Sequence, residues 1–133
     1  MTLTVLTPSF TAAGNISPCR FVKITGAFQV SECNTLGERA FGISQEGLMD
    51  TPIPGASSTL AAEAGRQMGV FGPGETCLIQ VSAAVTAGAL LRTTANGRAV
   101  VTTTAGDNYS AIALEAQATV DGRVLCFIQA GKV

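Results

Sequence analysis

The chain contains no histidine, no tryptophan and a single tyrosine, Tyr109. Without an imidazole, the serine or cysteine hydrolase triads of the usual kind cannot be assembled. Zinc sites of the Cys/His type are excluded too, and Cys19, Cys33, Cys77 and Cys126 show no Cys-x-x-Cys spacing. The shortage of aromatics argues against a sugar-binding platform. Charge is scarce as well: eight Lys and Arg and nine Asp and Glu make up 13% of the residues, with no run of one sign. That is about half the usual charged share for a globular protein. A nucleic-acid partner needs a clustered basic footprint, which is missing. The acids Glu32, Glu38, Glu46, Asp50, Glu63, Glu75, Asp107, Glu115 and Asp121 are scattered singly, so no pair announces a glycosidase or a divalent-cation site. Long apolar runs are absent: Leu3, Val5 and Leu6 are broken up by Thr4, Thr7 and Pro8, which leaves no signal-peptide block and no bilayer span. The expectation is a non-enzymatic protein without cofactor or metal, made in the cytoplasm and independent of membranes and nucleic acid.

What the chain does have is apolar residues, 47% of 133. That length supports one hydrophobic core. So thin a charged shell implies that much of the surface is covered by a partner, copies of the same chain included. The cysteines read as small buried apolar side chains in a reducing compartment.

Residues 1–17 lack helical periodicity and read as an extended arm, in which Leu3, Val5, Leu6, Pro8 and Phe10 suit a neighbouring sheet edge. Residues 18–133 read as one β domain. Strands are expected over Cys19 to Thr25, Phe28 to Glu32, Ala40 to Gln45 and Glu75 to Ser82. Glu46 to Ser58, with Pro52 and Pro54, is a long loop offering Leu48, Met49 and Ile53 for contact. Thr59 to Gln67 has the residues for one or two helical turns. Asn96-Gly97 and Asp121-Gly122 predict type I′ hairpins, between Leu90 to Ala95 and Arg98 to Thr104, and between Ser110 to Val120 and Arg123 to Ala130. The second turn would set Ala118 opposite Leu125, Ala116 opposite Phe127 and Leu114 opposite Gln129. Val124 to Ile128 is apolar on both faces and so expects cover on both. Glu115, alone in an apolar stretch, points to solvent or across a subunit interface towards an arginine. Phe71-Gly72-Pro73-Gly74 lacks the Lys-Ser/Thr of a phosphate loop, and Gly106-Asp107-Asn108 lacks the following ligands of a calcium loop; both read as turns. The sum is an all-β chain, a small β-barrel or β-sandwich of jelly-roll-like kind with at most one short helix.

Several phrases resemble the capsid cement or head-decoration proteins of tailed bacteriophages. They are Gly74-Glu75-Thr76-Cys77-Leu78-Ile79-Gln80-Val81, Val85-Thr86-Ala87-Gly88-Ala89-Leu90-Leu91, Asn96-Gly97-Arg98-Ala99-Val100, Ala111-Ile112-Ala113-Leu114-Glu115-Ala116 and Gly122-Arg123-Val124-Leu125-Cys126-Phe127-Ile128. Upstream, Phe21-Val22-Lys23-Ile24 and Ala40-Phe41-Gly42-Ile43-Ser44 fit the same arrangement. The resemblance implies a β core that assembles as a homotrimer and clamps neighbouring major capsid proteins on the outside of a phage head, with no catalytic residues. A tail or baseplate β-module, or a virion protein that binds the host surface, is the alternative.

Overall fold

A computed structural model describes residues 9–47 and 59–133. Eleven strands and no helix occur among them. In chain order these are β1 (Phe10–Ala12), β2 (Phe21–Gly26), β3 (Gln29–Glu32), β4 (Gly42–Ser44), β5 (Gln67–Met68), β6 (Val70–Phe71), β7 (Thr76–Gln80), β8 (Leu90–Thr93), β9 (Ala99–Val101), β10 (Asn108–Ala113) and β11 (Arg123–Lys132). They form two sheets, ordered β5-β1-β3-β2-β4-β6 and β7-β11-β10-β8-β9. The expected all-β class holds, in its two-sheet form rather than as a closed barrel.

Both sheets curl. The two edge strands of the first sheet, β5 and β6, are one run of chain interrupted at Gly69: Gln67 and Met68 pair with β1, and Val70 and Phe71 pair with β4. The second sheet does something similar. Beyond β7 the chain crosses to the opposite edge, where Val81 makes a parallel bridge to Ala99 and Ser82 N donates to Ala99 O at 2.9 Å.

Alternation along these strands builds two cores. Val22, Val30, Phe10, Ala12, Ile16, Ala61, Ala62, Met68 and Val70 fill the inside of the first curl. Phe21 and Ile43 point the other way and meet Ile79, Val81, Leu91, Ala111, Val124, Cys126 and Ile128 of the second sheet. Strand β2 therefore serves both cores, with Val22 in one and Phe21 in the other. Arg20 bolts the layers together: Nε donates to Gln80 Oε1 at 2.9 Å, and one terminal nitrogen donates to the Asn96 carbonyl at 2.8 Å.

The structure corrects four expectations. The described part of the arm is a sheet strand: Thr11 and Ala12 pair in parallel with β3, and Phe10 and Ile16 are buried in the first core. Apolar residues at 10, 12 and 16 gain more from closing over that core than from solvent. The helical reading of 59–67 also fails, because Ala61 N and Ala62 N both donate to Ile16 O and Ile16 N donates to Ala62 O. That long-range pairing outweighs local helix propensity.

Neither hairpin is type I′. At the first, Gly97 alone is left-handed (φ 74°), Gly97 N donates to Thr94 O and Thr94 N to Arg98 O, the pattern of a three-residue loop. At the second, Asp121 takes the left-handed conformation (φ 64°) and the strand partner ends early, at Ala113. The register there is Ala113 opposite Cys126 and Ile112 opposite Phe127, not the one the turn pair suggests. Residues 114–122 instead form a loop, held where Gln117 pairs with Val85.

Candidate interaction surface

Of the side chains singled out for contact, Leu3, Val5, Leu6, Pro8, Leu48, Met49 and Ile53 lie outside the described residues. Phe10 is used internally: its ring sits 5.6 Å from that of Phe41 and 6.4 Å from that of Phe28, tilted in both cases. Glu115 is exposed, and its Oε1 accepts a hydrogen bond from Leu125 N at 3.0 Å. It thus ties the loop after β10 to the start of β11. No arginine of its own chain pairs with it among the described residues.

The surface features that do emerge are large apolar residues left in solvent. Ile24 is 52% and Phe28 66% exposed at the β2–β3 hairpin, and Leu114, Val120 and Leu125 are exposed where the 114–122 loop meets β11. The inward side of β11, Val124, Cys126 and Ile128, is fully covered, so the cover expected on its second face is missing at Leu125. Sequence alternation could not single out Ile24, which shares a face with buried Val22 and pairs with buried Val30 yet is half exposed.

Ile24 lines an open cleft of about 460 Å³ together with Lys23, Arg39, Ala40, Phe41 and Pro73. Lys23 is engaged at one side, donating to Asn34 Oδ1 at 2.9 Å and pairing with Glu38 at 3.1 Å. Burial pushes the Glu38 carboxyl up, but donation from Asn34 N, Lys23 and Thr35 N together outweighs it and holds the group below the usual carboxylate range. Arg39 is exposed and makes no hydrogen bond or ion pair with another described residue.

Burial pushes the Cys33 thiol up to about 12. A hydrogen bond with the Cys126 thiol, then burial, raises Cys77, and burial raises Cys19. Protonated, buried thiols are poor nucleophiles. Among the described residues no three His, Cys, Asp or Glu side chains converge as a metal site would require.

A two-sheet chain whose described residues assemble no metal cluster and carry few charges can be set beside known structures. The fold resembles that of the N base of head fiber gp8.5 of bacteriophage phi29. The likeness has a TM-score of 0.57 and covers 94% of each chain. Sequence identity to the phi29 head-fiber base is 17%, so what the two share is the fold. No family model and no curated protein sequence matches the chain.

Proposed function

We propose that this chain is a non-enzymatic structural protein of a phage virion, a cement or decoration protein that sits on the outer surface of the head as a homotrimer. There it would stabilise contacts between major capsid proteins. The observation that carries the reading is the end-to-end likeness to a protein named as a head-fiber base, over 94% of both chains. A charged share of only 13% supports it, because such a surface suits burial against a shell and against sister copies. The exposed Ile24, Phe28 and Leu125 supply apolar anchors of the kind that interfaces bury.

Mechanistically, a protein that binds only the expanded shell stabilises that shell by mass action, and several contacts per oligomer add avidity without any one strong site. No bond is made or broken. The test is co-sedimentation of the purified chain with expanded and unexpanded heads of its source phage. Saturable binding to expanded heads, with a raised thermal threshold for DNA release, is the expected result; indifference to both kinds of head overturns the reading.

A further inference from the structure

We propose that the two exposed apolar patches are halves of one contact. The cleft of Ile24, Phe41 and Arg39, with Phe28 linked to it through the Phe10 ring, receives the loop of Leu114, Glu115 and Val120 and the adjoining Leu125 from a second copy. This rests on the self-assembly in the preceding section and names its surface.

Phe28 makes the first argument. Its φ is 50°, the left-handed region, and it is the second of the two turn residues between Gly26 and Gln29. An L side chain there is strained in a way that glycine avoids. The ring is nevertheless two-thirds exposed, in ring contact with Phe10. A strained backbone that holds an aromatic ring out into water points to a task outside the chain. Through the buried ring of Phe10, the ring series runs on to Phe41 in the cleft wall, so the tip and the cleft rest on the same core.

Charge decides the occupant. The side chains lining the cleft carry two cations and no acid; Lys23 is held by Glu38, and Arg39 is left without a described partner. The second patch offers a carboxylate in the same apolar setting. Glu115 uses Oε1 for Leu125 N, and Oε2 has no described partner, whereas nearby Asp121 is already held by Arg98. The cleft is therefore complementary to the second patch and not to itself, although the second patch also carries exposed Arg123 on the face of Leu125. Pairing the cleft with itself across a twofold axis would set Arg39 against Arg39, which disfavours a symmetric dimer. Because the patches sit on different sheets, the contact runs head-to-tail, a kind that closes into a ring where the rotation from copy to copy allows it.

The experiment is sedimentation equilibrium on the full chain and its variants, with circular dichroism to establish folding. Arg39→Glu and Glu115→Arg should each weaken association about tenfold or more, and the double exchange should recover most of the loss. Phe28→Gly should also weaken association about tenfold or more, while the diluted monomer melts no lower than wild type because backbone strain is relieved. A wild type that is monomeric at every concentration overturns both the trimer and this contact. A wild-type trimer indifferent to all the variants overturns the contact and leaves the trimer standing. Intact trimers that no longer bind expanded heads would assign the cleft to the shell and overturn the contact. Single losses without recovery in the double exchange overturn the Arg39–Glu115 pairing.

Discussion

At the scale of single residues, close approach and buried charge set the tightest constraints. Gly42 on β4 lies against β6, and a Cβ added there would land on the carbonyl oxygen of Phe71. That oxygen is backbone and cannot swing aside, so Gly42→Ala should cost about 2–3 kcal/mol in urea unfolding. Two glutamates should respond to pH in opposite directions. Glu38 is held below the usual range, so its contribution is present above the unfolded-state value and is lost as pH falls through the folded one. Unfolding of Glu38→Gln should therefore show a deficit of about 1 kcal/mol at neutral pH that vanishes in acid. Burial raises Glu32, against the pull of Ser17 N and Arg20. Its contribution is greatest below the unfolded-state value and falls as pH rises through the folded one, so Glu32→Gln should compare best with wild type at neutral pH.

At the scale of elements, turns act as docking pieces as well as reversals. The β8–β9 turn lies on the first sheet, where Gly97 O accepts from Phe21 N at 2.7 Å. A Cβ at Gly97 would meet Glu32 Cγ at 2.9 Å and Phe21 O at 3.1 Å, in a backbone with φ 74°. Gly97→Ala should lower Tm by roughly 5–10 °C in a calorimetric scan. Strands such as β2, β3, β7, β8 and β9 were legible because alternation and turn chemistry are local signals. The strand at Phe10, the bridge at Ala62 and the β10–β11 register were not, since each is set by a partner far along the chain. Asn96-Gly97 and Asp121-Gly122 look alike in sequence, yet the left-handed residue is the glycine in one and the aspartate in the other. Of the candidate surface, Glu115 stood out in the sequence as an isolated charge. Ile24 and Phe28 did not: Ile24 shares the alternation of buried Val22, and Phe28 stands out only once its left-handed turn is in view.

At the scale of the whole molecule, two cores share strands and should not come apart separately. Phe21 and Val22 are consecutive residues serving different cores, and all four cysteines are buried and unpaired. Native protein should be silent to a thiol reagent at pH 8. On denaturant titration, all four cysteines should become reactive over the same range in which the far-ultraviolet circular dichroism is lost. Reaction of any cysteine well before that transition would show that the layers open independently.

The curl of both sheets also bears on solubility. A chain this poor in charge has little mutual repulsion to keep crowded copies apart, and an open row of backbone N–H and C=O groups invites strand-by-strand aggregation. Here the first sheet has its outermost pairings made by one run of chain on either side of Gly69, and the Val81–Ser82 crossover covers part of the β9 edge. Along the outer side of β7, Leu78 N donates to Glu46 at 3.0 Å and Gln80 N to Cys19 O at 2.9 Å. The fold guards its hydrogen-bonding rims by geometry, which leaves the apolar surface free for selective contacts without fibre-like growth.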